Sequence, residues 1–169
     1  FDAICIAVGS TLPRDLNVEG RELTGIHYAM DFLTLQNRAN SGQLTANNNP
    51  LNAEWKKVVI IGGGDTGSDC VGTSIRQKAV NVTQIEILPK PPLTRADNNP
   101  WPYWGKILKT STSHEEGCKR FWSLSTVKFI GADNHVVGVE VEDVEWKNSN
   151  GRYTMEVIPG TRRKIDADL

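Results

Sequence analysis

The residues with the clearest capacity for chemistry are three glycines, Gly62, Gly64 and Gly67, which fill a G-x-G-x-x-G frame. They follow the β-branched run at residues 58–61 and precede a segment compatible with a helix. In this context the first glycine permits a sharp turn, the second lets the backbone approach a pyrophosphate, and the third lets the helix pack closely on the strand. Amides at the helix start then favour an anion. The stretch predicts a dinucleotide-binding turn; the alternative is a tight turn without a ligand.

Polar side chains in and after this turn extend the predicted site. Gly63, Asp65 and Thr66 lie within it, and Asp65 or Thr66 could cap the helix. A carboxylate aimed at a pyrophosphate would repel it, so we expect the Asp65 side chain to turn away. Glu86 lies about two dozen positions after Gly62, where an acidic residue can bind the ribose 2′-hydroxyl. The alternative for Glu86 is a strand glutamate that faces a polar partner.

Hydrophobic periodicity predicts the elements that position these residues. Residues 58–61, 66–77 and 82–88 read as strand, helix and strand, a βαβ unit whose crossover should be right-handed. Before this unit the pattern predicts a strand, a helix and a solvated linker at residues 3–8, 27–38 and 40–52.

The second half of the chain changes in texture. Five prolines at residues 89–104 forbid regular structure, and we expect Trp101, Tyr103 and Trp104 to pin this segment down by burial. Short helices are predicted at residues 104–110 and 113–119. Strands at 127–130, 136–146 and 153–158, with turns at 131–134 and 148–151, predict an antiparallel meander. On its middle strand one face carries Val137, Val139, Val141 and Asp143 and the other carries Gly138, Glu140, Glu142 and Val144, and we expect one of the two faces to be buried. The fold class is therefore α/β, a Rossmann-like domain with a β-meander.

Composition excludes several classes of protein. The 169 residues suit one domain, or one domain and a fragment, and 19 basic against 20 acidic residues point neither to nucleic acid nor to an anionic membrane. The apolar runs are strand-sized, and we expect neither a transmembrane helix nor a signal peptide. Cys5, Cys70 and Cys118 lie far apart, which argues against a metal cluster within this chain and against disulfides, and so favours the cytoplasm. Both ends fall in strand-like patterns, so we expect a piece of a longer protein.

Several stretches resemble the small (β) subunit of glutamate synthase and, more closely, the matching C-terminal region of the fused plant and fungal enzymes. The stretches that carry this resemblance are residues 62–74, 86–89, 99–102 and 114–116, with 7–10, 13–16, 25–27 and 129–131. The resemblance covers nearly the whole chain and implies an electron-entry module. A reduced nicotinamide nucleotide would bind the glycine-rich domain and pass a hydride to FAD on a second, similar domain. Electrons would then cross iron–sulfur clusters to FMN on the large (α) subunit or region, where glutamine and 2-oxoglutarate become two glutamates.

The resemblance also implies a domain organisation of the two-dinucleotide-binding-domain flavoprotein type. Residues 1–25 would belong to the FAD-binding domain, residues 26–54 to a connecting helix and linker, and residues 55–169 to the NAD(P)-binding domain with its meander. The cluster-binding cysteines, the glycine frame of the FAD domain and its C-terminal segment are missing from the sequence. FAD and 4Fe–4S clusters are therefore expected only in the full-length protein, and this chain alone should be inactive.

Further site residues follow from the same resemblance. Asp69 falls where related flavoproteins carry an acidic residue on the nicotinamide side of the helix, the alternative being a solvated polar residue. Sequences that favour NADPH place an arginine pair after the second strand, where this chain has Leu88 and Pro89. Lys90 and Arg95 are the nearby cations that could contact a 2′-phosphate, although both have the alternative of being ordinary loop cations. Since Glu86 would also repel that phosphate, we expect NADH to be preferred.

Two other functions remain open from the sequence. One is the reductase part of another flavin and iron–sulfur enzyme, such as dihydropyrimidine dehydrogenase. The other is a non-catalytic nucleotide-binding module that uses its meander to contact a partner. His114, beside Glu115 and Glu116, has the residue types of a metal or acid–base site. We assign it no such role, because hydride transfer between nicotinamide and flavin needs no protein acid.

Overall fold

The computed structural model describes residues 2–6, 12–44, 49–149 and 152–169. Along this part of the chain the helices are α1 (Ala29–Asn40), α2 (Asp65–Arg76) and α3 (Thr112–Glu115). The strands are β1 (Lys57–Ile61), β2 (Asn81–Ile85), β3 (Lys119–Phe121), β4 (Leu124–Ala132), β5 (His135–Ser149), β6 (Arg152–Val157) and β7 (Arg163–Ile165). Among the described residues, no helix is both long and apolar enough to cross a membrane.

A three-stranded parallel sheet in the order β1-β2-β3 positions the glycine stretch. Lys57 pairs with Asn81 and Ile61 with Ile85, so β1 and β2 run in register and end at the same edge of the sheet. Helix α2 connects them, which confirms the predicted βαβ unit. The carboxyl edge of such a sheet is where open α/β folds bind their ligands.

Strand β1 is covered on both faces, which explains its uninterrupted apolar sequence. Val58 and Ile60 pack in one hydrophobic core with Phe32 of α1 and with apolar residues of α2. Val59, on the opposite face, packs with Ile85 and with Val141 of β5 in a second core. The parallel sheet therefore lies between the helices and the antiparallel strands, and both cores hold the carboxyl edge of the sheet in place.

The predicted antiparallel meander is confirmed. Strands β4 and β5 form a hairpin that closes with Ala132 opposite His135. Its two turn residues, Asp133 and Asn134, both have positive φ, at 50° and 62°, as a two-residue hairpin turn requires. Strand β5 also pairs antiparallel with β6 and with β7. The turn predicted at residues 148–151 lies partly outside the described residues.

The prediction that β5 buries a single alternating face is wrong. Val136 and Val139, three positions apart, are both buried, and Val137 is only half-buried. A register shift at this point leaves Val137 as an extra residue on β5. Because a β-bulge inserts one residue into the alternation, the residues on its two sides can bury side chains on the same face.

The described N-terminal residues form two parts, of which residues 12–26 pack on the β4–β5 hairpin and residues 2–6 do not. Residues 3–6 are not a strand, contrary to the prediction for 3–8, and residues 7 and 8 lie outside the described residues. Residues 2–6 are exposed, with 86% of Ile4 accessible to solvent. Further along, Thr24 N–H donates to the Asn134 carbonyl and Val136 N–H donates to the Thr24 carbonyl. These bonds fasten residues 12–26 to the β4–β5 turn.

Three other predicted elements differ in the structure. No helix forms at residues 104–110, and the helix predicted at 113–119 is the single turn α3. Gly117, with φ of 118°, lies just past that turn in a conformation that ends helices. Strand β3 follows it and was not predicted at all. A three-residue strand with Lys119 and Phe121 exposed carries no periodic hydrophobic signal.

The aromatic residues of the proline-rich segment are not buried, contrary to the prediction. Trp101, Tyr103 and Trp104 are 82%, 67% and 76% exposed. The segment is instead held by polar contacts around Asn99, whose side chain is buried. Its Nδ2 donates to the Trp104 carbonyl and its Oδ1 accepts from Lys106 N–H. Irregular backbone needs partners for its polar groups, and one buried amide supplies two of them here.

Candidate functional site

The glycine stretch forms a turn at the carboxyl ends of β1 and β2. Gly62 has φ of 122°, a conformation that L side chains rarely adopt, and its N–H donates to the Ile85 carbonyl at 2.8 Å. A Cβ at Gly67 would lie 2.5 Å from the Gly62 carbonyl oxygen, so only glycine lets α2 start this close to the strand. At Gly64, by contrast, a Cβ would meet no atom within 4 Å. The protein therefore needs glycine at two positions for its own fold, and at Gly64 the space is open.

Helix α2 begins at this open space without a side-chain cap. Its N-cap is Gly64, and no side chain accepts a bond from the first turn. The prediction that Asp65 or Thr66 caps the helix is therefore wrong: Asp65 is already the first helical residue, and both side chains are exposed. Uncapped first-turn amides, with the helix dipole behind them, form a site suited to an anion.

Glu86 lies immediately after β2 and reaches back to the glycine turn. Its Oε2 accepts from Gly63 N–H at 2.6 Å, and its Oε1 accepts from Leu88 N–H at 3.1 Å. The second strand ends at Ile85 and not at the predicted Leu88. A carboxylate has about four acceptor positions. Two amides hold this one in place, and both of its oxygens keep capacity to accept hydroxyl groups.

The two candidate cations are already engaged elsewhere. The Lys90 ammonium lies 5.1 Å from the centroid of the Trp122 ring, which also contacts the Arg120 guanidinium. Arg95 Nη1 donates to the carbonyls of Asn99 and Tyr103 within the proline-rich segment. In the structure both side chains therefore have partners other than Glu86.

Asp69 is exposed on α2 and does not reach the glycine turn. It lines a polar groove between α1 and α2 together with Asn37 and Arg76. Its charge, after the larger effect of burial, contributes to raising the pKa of the neighbouring Cys70 thiol to about 12. The structure thus brings together the glycines, the start of α2 and Glu86, and leaves Asp69, Lys90 and Arg95 outside that group.

A chain of polar side chains behind the turn was missed by the sequence analysis. Gln84 Nε2 donates to the Gly62 carbonyl at 2.9 Å, and Gln84 Oε1 lies 3.0 Å from His114 Nε2. His114 Nδ1 accepts from Ser111 N–H at 3.1 Å, and Ser111 Oγ is hydrogen-bonded to Ser68 Oγ in the first turns of α2. The spacing of Ser111 and His114 is that of a capping box, which is the one local signal for this arrangement.

The structure supplies no metal site at this histidine. Among the described residues, no group of three or more histidine, cysteine, aspartate or glutamate side chains could hold a metal ion. Glu116 pairs with Arg76 of α2. Burial, and to a smaller extent the Arg120 charge, lowers the pKa of His114. A neutral imidazole with both nitrogens engaged is what the hydrogen bonds require.

Comparison with known proteins identifies the family of the chain. The sequence profile described as "Pyridine nucleotide-disulphide oxidoreductase" matches residues 1–169. The chain belongs to this family. Solved structures agree on the fold: the oxidoreductase FprA of Mycobacterium tuberculosis superposes with a TM-score of 0.63 at 15% identity, over 100% of this chain and 49% of that one. The structure of FprA in complex with NADPH also has a TM-score of 0.63, at 14% identity, and the superposition covers 96% of this chain and 47% of that one.

Curated relatives confirm the resemblance to glutamate synthase. The chain is 42% identical to the glutamate synthase (NADPH) small chain of Mycobacterium tuberculosis. The alignment of 172 residues covers 100% of this chain and 34% of that protein. It is 38% identical over 177 residues to the glutamate synthase (NADH) of Schizosaccharomyces pombe, over 100% of this chain and 8% of that protein. The glutamate synthase (NADPH) small chain of Bacillus subtilis is 36% identical, and the alignment covers 100% of this chain and 36% of that protein. The chain thus spans about a third of the bacterial relatives' length.

Proposed function

We propose that this chain is the nicotinamide-nucleotide-binding part of an electron-entry module for glutamate synthesis. The observation that carries the proposal is the open space at Gly64, between the uncapped start of α2 and the Glu86 carboxylate. The relatives' names support the reaction, since those most similar to this chain are glutamate synthases. A bound nicotinamide nucleotide would supply the hydride chemistry, and the protein supplies binding and orientation.

The residues fit such a ligand without rearrangement. The pyrophosphate would lie against Gly64 and the amides at the start of α2, where an anion is favoured. The Glu86 carboxylate, held by Gly63 and Leu88 amides, would accept a bond from a ribose hydroxyl. This bond needs no movement of Glu86, because each of its oxygens has a remaining acceptor position.

The wider function belongs to the full-length protein. There the hydride would pass to FAD, and electrons would continue through 4Fe–4S clusters to the large chain of glutamate synthase, where the substrates are glutamine and 2-oxoglutarate. The sequence contains a single G-x-G-x-x-G frame, which we assign to the nicotinamide nucleotide, and so no second frame is left for FAD. Several relatives are named as small chains, which supports a large-chain partner for the protein to which this chain belongs.

Replacing Gly64 with valine tests the nucleotide site directly. Gly64 has φ of −80° and open space around its Cβ position, so valine fits the folded protein and clashes only with a ligand. We expect the affinity of the chain for NADH and NADPH, measured by calorimetry, to fall at least about tenfold.

The matched control is Gly105→Ala, a glycine outside the turn, where the nearest atoms to an added Cβ belong to the Arg95 side chain at 3.2 Å or more. It should bind nucleotide as the parent chain does. A folded Gly64→Val variant with unchanged affinity would remove the nucleotide proposal.

A further inference from the structure

The polar side chains behind the glycine turn form a closed circuit of hydrogen bonds. One end is the Gly62 carbonyl, which accepts from Gln84 Nε2. The circuit continues from Gln84 to His114, from His114 to Ser111, and from Ser111 to Ser68. Ser68 N–H donates to the Gly64 carbonyl at 3.0 Å, which returns the circuit to the turn.

The direction of the bonds at Gln84 and His114 is determined by their donors. Gln84 Nε2 must donate to a carbonyl, so Gln84 Oε1 faces His114 and can only accept. His114 Nε2 therefore carries the proton. His114 Nδ1 accepts from the backbone N–H of Ser111, which cannot accept in return. The histidine is thus the neutral Nε2–H form, and each of its nitrogens has one defined task.

The circuit joins the two parts of the turn that must stay in register for anion binding. Gly62 ends β1, and Ser68 lies in the first turns of α2. Gly67 lies between Gly62 and Ser68 and is closely packed, since a Cβ there would lie 2.9 Å from Gln84 Nε2 as well as near the Gly62 carbonyl. Helix α3 itself rests on α2 at Gly72, where a Cβ would lie 2.5 Å from Ser113 Oγ. A short element from another part of the sequence therefore buttresses the start of α2.

We propose that His114 is a positioning residue for nucleotide binding, which orients the Gly62 carbonyl through Gln84 and the start of α2 through Ser111 and Ser68. The inference rests on the proposed function, because it concerns the geometry of the same site. His114 touches no part of the predicted ligand space, and it acts only through the hydrogen bonds of Gln84 and Ser111.

Two substitutions separate the tasks of the two histidine nitrogens. In His114→Gln the side-chain amide reaches the position of Nε2 and can still donate to Gln84. In His114→Asn the shorter amide reaches only the position of Nδ1 and serves only the contact with Ser111. We expect His114→Gln to bind NADH within about twofold of the parent chain, because the start of α2 keeps the Ser111–Ser68 bond and the Ser68–Gly64 backbone bond when the Nδ1 contact is lost. We expect His114→Asn to bind about fivefold more weakly, because the Gly62 carbonyl depends on Gln84 and Gln84 then loses its hydrogen bond to His114.

A double-mutant cycle tests whether His114 acts through Gln84. Gln84→Leu should weaken NADH binding about fivefold, and combining it with His114→Asn should add less than about twofold, because both remove the same path. Glu116→Gln is the matched control. It removes the ion pair with Arg76 that also fastens this part of the chain to α2, yet leaves the circuit intact, and should bind NADH as the parent does.

All variants are compared as the full 169-residue chain by calorimetry with NADH, after circular dichroism has shown that they are folded. His114→Asn binding as tightly as the parent chain overturns the inference and leaves the proposed function standing. Glu116→Gln binding as weakly as His114→Asn also overturns it, because attachment of α3 would then be sufficient. Failure of the parent chain to bind either nicotinamide nucleotide overturns the proposed function, and the inference with it. If His114→Asn does not fold, Gln84→Leu with unchanged affinity is the overturning result.

Discussion

At the scale of single residues, Glu86 combines two tasks that are often separate. It shapes the glycine turn by accepting from Gly63 N–H, and both of its oxygens keep an acceptor position for a ligand. A Cβ at Gly63 would lie 2.7 Å from Glu86 Oε2, so a larger residue at this position would displace the carboxylate from the turn. The charge of Glu86 is then part of the turn itself.

That charge leads to a prediction about which nucleotide is preferred. Glu86 would repel a 2′-phosphate, while Lys90 stacks on Trp122 and Arg95 bonds to loop carbonyls, so no free cation offsets the repulsion at these positions. We expect the chain to bind NADH more tightly than NADPH. The relatives are named for both nucleotides, so the chain itself has to be titrated with each at low and high salt. Tighter binding of NADPH that weakens with salt would mean that a cation leaves its observed partner to bind the phosphate.

His114 gives a pH dependence of stability. Its pKa lies below the ordinary value of 6.5 because of burial and of Arg120, and protonation of Nδ1 would oppose the Ser111 N–H. Between the lowered pKa and 6.5 the unfolded chain binds more protons than the folded one. The contribution of neutral His114 to the free energy of unfolding is therefore complete above pH 6.5. This contribution is lost as the pH falls through the folded-state pKa of His114. Urea unfolding between about pH 7.5 and about pH 5.5 should show a smaller loss of unfolding free energy in His114→Gln than in the parent chain. Equal losses would contradict this assignment.

At the scale of elements, the proline-rich segment after β2 is ordered by polar groups while its aromatic rings face outward. Asn99 bonds to Trp104 and Lys106, and Arg95 bonds to Asn99 and Tyr103. Lys109 lies 3.7 Å from the centroid of the Trp104 ring. The segment begins just past Glu86 and connects β2 to α3.

Removing the Asn99 side chain should loosen this segment. Asn99→Ala removes the hydrogen bonds to the Lys106 N–H and the Trp104 carbonyl, both part-buried, and each such bond contributes about 0.5–1.5 kcal/mol. We expect the free energy of unfolding in urea to fall by about 1–3 kcal/mol and proteolysis at residues 89–104 to become faster. The exposed neighbour Asn98 is the control, and Asn98→Ala should change stability by less than about 0.5 kcal/mol. Equal effects of both substitutions would show that Asn99 does not organise the segment.

At the scale of the whole molecule, the chain is layered: helices, a parallel sheet, then antiparallel strands. The two cores meet across β1, where Val58 and Val59 belong to different cores. The C-terminal residues run beside the same strand, since Val59 N–H donates to the Leu169 carbonyl. Leu16 and Ile26 of the N-terminal segment pack against the second core. We retain residues 1–25, 26–54 and 55–169 as the proposed domain division within the longer protein.

The assignment of the single glycine frame to the nicotinamide nucleotide predicts which cofactors the chain contains. Because the single frame is assigned to the nicotinamide nucleotide, the 169 residues purified by themselves should be folded but colourless. Circular dichroism and an absorption spectrum test both parts, and NADH added to the preparation should bind without reducing an electron acceptor. A yellow preparation with tightly bound flavin would show that this chain holds FAD, and the assignment of the frame would have to be revised.

The sequence by itself determined the elements whose causes are local. The β-branched run of β1, the turn at Gly62 and the periodicity of α2 act within a few residues, and so the βαβ unit was predicted nearly to its bounds. The same holds for the hairpin turn at Asp133 and Asn134, which needs only two residues that tolerate positive φ. The resemblance to glutamate synthase likewise needed only short motifs.

The tertiary structure alone decided which side chains meet. Glu86 and Gly63 are 23 residues apart, and Gln84 and His114 are 30 apart, so no local pattern relates them. Whether Lys90 is a free cation depends on a ring, Trp122, that a distant segment brings beside it. Helix periodicity and turn chemistry are properties of adjacent residues. Hydrogen-bond partners and burial are properties of the packed layers, and they exist only once β1, β2 and α3 have come together.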